Sequence, residues 1–225
     1  SMFGPIRILV MPIRSLIQPV VQGLGDVEPL VFTVGEDLPL DEAAKRLIEN
    51  AYTRVDLVMD RGEFAVRGGI LDVFPPTAPH PVRIEFFGDE IDTIKEFHAS
   101  DQRTYGDGLK TIWATACREL QLTDAVRTRA KALVGSIPNA EDMLESIANA
   151  IPVEGMESLM PALVDHLEPV GSMLPKHAVI LLSDPEKLRR SAEDLAKTAN
   201  EFPAASWHVA ASGHGAGAPI SLDEA

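Results

Sequence analysis

RGEFAVRGGILDVFPP, from Arg61 to Pro76, and VRIEFFGDEID, from Val82 to Asp92, decide the fold of this chain. Both are short, rich in β-branched and aromatic residues, and cut by turn chemistry. Gly68-Gly69 marks a tight turn or a bulge, the four prolines from Pro75 to Pro81 an irregular connection, and Gly88-Asp89 a hairpin. With VDLVMD (55–60) before them and EIDTIKEF (90–97) completing the second hairpin, they predict an antiparallel meander from Val55 to Phe97. Alternate strand residues share a face. Phe64, Val66, Leu71, Val73, Val82, Ile84 and Phe86 therefore form one apolar face, suited to a helix predicted over Asp41–Ala51. Asp41 would cap that helix, and Ala44, Leu47, Ile48 and Ala51 would line its inner side.

The opposite face carries Glu63, Ala65 and Arg67, then Ile70, Asp72 and Phe74, then Arg83, Glu85 and Phe87. Fully burying a Phe is worth roughly 1.5–3 kcal/mol, so two phenylalanines on an outer face forgo stabilisation. Arginine beside aromatic residues is the composition of protein–protein hot spots. Two readings stand at this point: a partner surface, or a face covered within the chain or laced with solvated ion pairs.

Outward from the meander, Ile6–Met11 (IRILVM) predicts a strand buried on both faces and Arg14–Gln22 a short helix interrupted at Pro19. Leu30–Val34 predicts a further strand. After Gly106, helices are expected over Thr123–Val134, Asn139–Ala150 and Glu154–Leu167. A buried strand, Ala178–Leu182, then runs into a helix opened by Asp184-Pro185, which continues to about Phe202 with Leu188, Leu195 and Ala199 inside. The layout predicts two units divided near Thr104, and a frayed Gly/Ala/Ser-rich tail beyond Ala210. Ser1-Met2 reads as a tag scar, which makes the chain a piece of a larger protein.

Composition narrows the chemistry. The 225 residues carry a formal charge of −14, which disfavours autonomous binding to phosphate backbones. One cysteine, Cys117, excludes an internal disulfide, fits a reducing compartment and reads as a small core residue. No apolar run approaches the roughly 20 residues of a membrane span. Gly106-Asp107-Gly108-Leu109-Lys110 lacks the spacing and hydroxyl of a phosphate loop. The six histidines (His80, His98, His166, His177, His208, His214) show no metal-ligand spacing, and Asp89-Glu90 is ordinary turn chemistry. No catalytic, metal or cofactor site is expected.

Tyr52-Thr53-Arg54-Val55-Asp56, the two quoted stretches and Ala99-Ser100-Asp101-Gln102-Arg103, in that order, closely resemble the bacterial transcription-repair coupling factor family. They resemble the excision-repair protein UvrB more loosely. The resemblance is strong from Ala51 to Arg103 and weak from Gly106 onward. It implies a non-catalytic, cytoplasmic and monomeric UvrB-like module of mixed α/β class: a meander domain on a helix, plus part of a RecA-like lobe lacking its phosphate loop. The implied boundaries are 3–22 and 104–210 for the lobe, 23–103 for the docking domain, and 211–225 for the tail. The whole factor is implied to be an ATP- and Mg-dependent DNA translocase that displaces stalled RNA polymerase and recruits UvrA, with its ATP, polymerase and DNA sites outside this chain. The positions of Arg54, Arg67, Arg83 and Glu85 are implied to dock UvrA, with Phe74 on the same surface as an apolar anchor. A further domain of the whole factor is expected to cover that face at rest. UvrB has an additional Arg where this chain has Ala65, which implies a smaller contact set. A UvrB-like grip on DNA and a purely restraining role are the rival expectations.

Overall fold

The computed structural model describes residues 8–197. Chain order begins with α1 (Ile13–Ile17), β1 (Pro19–Val21), β2 (Leu30–Thr33) and α2 (Leu40–Glu49). The sheet strands follow: β3 (Thr53–Arg54), β4 (Glu63–Arg67), β5 (Ile70–Val73), β6 (Val82–Phe87), β7 (Glu90–Phe97) and β8 (Thr104–Tyr105). After them come β9 (Thr111–Ala114), α3 (Asp124–Leu133), α4 (Glu141–Ala148), α5 (Met160–Leu163) and β10 (Leu167–Pro169). The chain packs as two compact units: 26–157, and 8–25 together with 158–197. Its class is mixed α/β.

In the first unit a six-stranded sheet runs in the order β3-β4-β5-β6-β7-β8, all neighbours antiparallel except β3 and β4. The apolar face read from alternation is the core. Phe64, Leu71, Val73, Val82 and Ile84 are buried against Ala43 and Leu47 of α2, with Leu30 and Phe32 of β2 and Ile112 and Ala114 of β9. Val66 and Phe86 pack at its margin. The hydroxyl of fully buried Tyr52 donates to the Thr115 carbonyl at 2.8 Å, which satisfies its polar end. A register shift after Glu85 pairs Ile84 with Ile94 but Phe86 with Ile91. The extra residue on β7 thus lets both isoleucines face inward.

Gly68-Gly69 forms a two-residue hairpin turn closing on the Arg67–Ile70 pair, with Gly68 at φ +61°. A Cβ on Gly69 would lie 3.1 Å from the Phe86 carbonyl oxygen. Asp41 does not cap α2. The helix begins at Leu40 behind Pro39 with no side-chain cap, and Asp41 lies inside the first turn, where its charge suits the helix dipole.

The predicted strand over 55–60 is a loop instead. The Val55 amide donates to the Phe64 carbonyl at 2.9 Å, and the chain then leaves the sheet. The Glu63 carboxylate holds the turn that follows, accepting the amides of Met59 and Asp60 at 2.8 Å each. The predicted helices near 123–134 and 139–150 form as α3 and α4. Thr123 caps α3 by accepting the Val126 amide at 3.3 Å.

In the second unit β1 and β10 pair antiparallel. The predicted helix over 14–22 stops at Ile17, and Pro19 instead opens β1. The predicted helix over 154–167 is broken into a 3₁₀ turn, Met156–Leu159, and the short α5, because Pro161 has no amide to continue a ladder. The two buried strands predicted at 6–11 and 178–182 are absent from the described residues, and Val10 and Leu181 are about nine-tenths exposed. A doubly buried strand needs hydrogen-bonding neighbours on both edges. Among the described residues of this unit only β1 and β10 are paired, and they pair with each other. The helix opened by Asp184-Pro185 covers 185–197, with the Asp184 carboxylate accepting the Lys187 amide at 3.3 Å. Its expected continuation to Phe202, the place of Ala199 and the tail beyond Ala210 lie outside the described residues, as do Ser1 to Arg7.

Candidate functional site

The outer face of the sheet is a grid fixed by register. One row runs Arg67–Ile70–Glu85–Thr93 across β4 to β7, and the next runs Ala65–Asp72–Arg83–Lys95. Beyond the first row, past Glu85 on the same strand face, stands Phe87, beside the side-chain-free Gly68-Gly69 turn.

The second row is closed over. Asp72 is fully buried at its centre, with three guanidinium hydrogen bonds to its carboxylate. Arg67 Nη2 reaches Oδ2 at 2.6 Å, while Arg83 binds it in a fork, Nε to Oδ1 at 2.7 Å and Nη2 to Oδ2 at 2.8 Å. Arg83 also lies over the Phe97 ring, 5.0 Å from its centroid, and donates through Nη1 to the Gln102 carbonyl at 3.3 Å. The Asp72 hydrogen bond and charge hold its guanidinium above the ordinary arginine pKa, against the opposing effect of burial. Gln102, at φ +61°, fixes the cover: its amide nitrogen donates to the carbonyls of Val58 and Ala99 at 3.1 and 2.8 Å.

Under that cover Val58, Ala65, Phe74 and Phe97 form a small apolar cluster of their own. Phe74 is on the predicted face but is not an exposed anchor. It is 8% exposed, and Arg61 lies over its ring at 5.1 Å. The loop that leaves the sheet at Val55 brings Val58 onto this face, and burial recovers the stabilisation that solvent would have cost. The exposed aromatic is Phe87, at 82%. The outer face is thus part interior and part surface: Ala65, Asp72 and Phe74 are buried and the Arg83 side chain is mostly covered, whereas Ile70 and Glu85 are partly open and Arg67 and Phe87 exposed.

Arg54, whose direction the sequence leaves open, pairs with Phe64 in register and is exposed at the edge of the sheet. A half-open concavity of about 500 Å³ lies there, lined by Arg54, Val55, Asp56, Val66 and Arg67. The structure therefore brings Arg54 and Arg67 to one edge, joins Arg67 to Arg83 through Asp72, and sets Glu85 beside Ile70. Asp72 and Gln102 organise the site, and sequence reasoning gave neither a role. The signal for Asp72 was present, an acid between two arginines at cross-strand spacing.

Elsewhere, Cys117 is half-buried beside Tyr52, and burial pushes its thiol up to about 12. His98 stacks on Tyr105 with centroids 4.2 Å apart, and His80 meets that ring edge-on at 5.7 Å. Among the described residues no three His, Cys, Asp or Glu side chains stand where they could hold a metal ion. No helix among them is long and apolar enough to cross a membrane.

Residues 30–113, which hold the whole sheet and its edge, match the family model described as the UvrB interaction domain. Over 231 aligned residues and 98% of its length, the chain is 47% identical to the transcription-repair-coupling factor of Mycobacterium tuberculosis, spanning 19% of that protein. It is 30% identical over 88% of its length to that of Bacillus subtilis, spanning 18% of it, and 38% identical over 43% to that of Escherichia coli, spanning 8%. The chain thus spans about a fifth of the length of the Mycobacterium tuberculosis and Bacillus subtilis relatives. The agreement runs through the strands and turns that build the grid, and on it the chain belongs to the transcription-repair-coupling factor family and contains that family's UvrB interaction domain.

Proposed function

We propose that this chain is a non-catalytic docking module that recruits the repair protein UvrA to a transcription-repair coupling factor. ATP-driven translocation and displacement of stalled RNA polymerase would be work of the whole factor outside this chain. The observation that carries the reading is the open half of the grid: the half-exposed side chain of Arg67, the carboxylate of Glu85 and Phe87, 82% exposed, on one sheet, with Arg54 exposed at its edge. Such a surface pairs carboxylates of a partner through arginine forks and seats one ring in a pocket. Arg83 serves it from beneath, by holding Asp72 and so the orientation of Arg67.

Calorimetric titration against purified UvrA at two salt concentrations tests this. The expected result is saturable heat that weakens with salt, and an affinity loss of about 30-fold, or about 2 kcal/mol, for Arg67→Ala. An absence of binding, or Arg67→Ala binding like the unaltered chain, overturns the assignment. The description of the matching family names UvrB. Titration against UvrB in parallel decides that second reading, in which the same face docks UvrB itself.

A further inference from the structure

β4 is a strand with one edge only partly used. The Phe74 amide donates to the Glu63 carbonyl at 2.9 Å, and the hairpin closes on the Arg67–Ile70 pair. By the alternation of antiparallel ladders, Ala65 and Arg67 direct their backbone groups toward β5, while Phe64 and Val66 direct theirs to the opposite edge. Phe64 is served there: its carbonyl accepts the Val55 amide at 2.9 Å, and it faces Arg54 of β3. Val66 is not. β3 ends at Arg54, the chain swings away through Val55 and Asp56, and among the described residues no backbone partner meets the outward N–H and C=O of Val66. The space left by the departing chain is the concavity at Arg54, Val55, Asp56, Val66 and Arg67.

Most exposed edges in globular proteins are blunted by proline, a bulge or a covering loop. This one is lined by two arginines, Arg54 and Arg67. Arg54 makes no ion pair among the described residues, and Arg67 shares its only ion-pair partner, Asp72, with Arg83. Two cations against the single carboxylate of Asp56, in a chain of net charge −14, form a positive edge on an acidic protein. An unpaired strand position between two arginines suits an extended acidic segment, whose backbone satisfies Val66 and whose carboxylates reach the arginines.

We propose that the free edge of β4 at Val66 takes a short extended acidic segment of the docking partner as an added strand, seated between Arg54 and Arg67. The inference rests on the docking reading above and specifies how that surface is used.

Amide hydrogen exchange of this chain, with and without UvrA, reads it directly. Within β4 the Glu63 amide donates to the Asp60 carbonyl at 3.3 Å and those of Phe64, Ala65 and Arg67 face β3 or β5, so the expected change is slowing confined to Val66, by at least 10-fold. Val66→Pro removes the outward N–H at an edge position where proline costs no ladder bond. It is expected to keep the far-ultraviolet circular dichroism of the unaltered chain and to lose at least 10-fold in affinity. Binding of UvrA with unchanged exchange at Val66, or full affinity in folded Val66→Pro, overturns strand addition and leaves docking standing. Failure of UvrA to bind overturns both. Should Val66→Pro not fold, exchange in the unaltered chain decides alone.

Discussion

Removing the charge of Asp72 should rank among the costliest single changes on the outer face. Its carboxylate is fully buried and accepts three guanidinium hydrogen bonds, two from Arg83 and one from Arg67. The two arginines do not suffer equally from its loss. The Arg67 side chain is 49% exposed and can turn into solvent, so its share is small. That of Arg83 is 18% exposed, held over Phe97 and against the Gln102 carbonyl, and would keep an uncompensated charge. Breaking a buried pair by removing one member costs about 3–5 kcal/mol. With Arg67 discounted and the Gln102 bond retained, we expect about 3 kcal/mol for Asp72→Asn. At a urea slope of about 2 kcal/mol per molar, the unfolding midpoint falls by about 1.5 M. Arg83→Met should cost a similar amount, whereas Arg67→Met should cost under about 1 kcal/mol. The double variant Asp72→Asn/Arg83→Met leaves neither charge stranded, and should lose well under the sum of what its two singles lose. Equilibrium denaturation followed by circular dichroism measures all four. Additivity of the double variant within about 0.5 kcal/mol, or a midpoint shift for Asp72→Asn below about 0.5 M, would refute the reasoning.

Two further expectations follow from burial. Phe74→Ala should lower stability by about 3 kcal/mol, whereas Phe87→Ala should change it by less than about 0.5 kcal/mol and weaken UvrA binding; urea melts and calorimetry on the same two variants separate the effects. With its thiol raised from 9.0 to about 12, Cys117 should react with iodoacetamide at pH 8 at least 100-fold more slowly in the folded chain than in urea. Because the fold binds that proton more tightly than the unfolded chain does, the stability Cys117 contributes is intact below about pH 9. It is lost as pH rises toward 12, so the urea midpoint should decline through that window.

Alternation alone assigned every residue of β4, β5 and β6 to its correct face, because one side of that sheet must meet α2 and a register slip would expose the whole apolar set. It could not say which part of the outer face is covered. Phe74 and Phe87 carry the same signal in sequence. They differ only because the loop after Val55 brings Val58 across one of them, and the Glu63 and Gln102 bonds that set that loop's path are invisible to periodicity. Arg54 was illegible for a related reason: a two-residue strand has no period to read. The apolar runs at 6–11 and 178–182 show the opposite failure. Their composition is that of central strands, but strand formation is decided by neighbours, and the described residues of their unit supply none.

The division of the outer face has an electrostatic consequence. One carboxylate serves two guanidinium groups, so the Arg67–Asp72–Arg83 cluster keeps one net positive charge, and the burial of Asp72 and Arg83 leaves Arg67 as its exposed outlet. Paired with Asp72 at 2.6 Å, Arg67 is held on the sheet, so a partner carboxylate would meet it with little side-chain entropy left to lose. A free surface arginine would carry the same charge but pay for its own ordering on binding. On the docking reading, the buried acid would turn a charged rim residue into a preorganised contact, and stability and recognition would draw on the same three side chains.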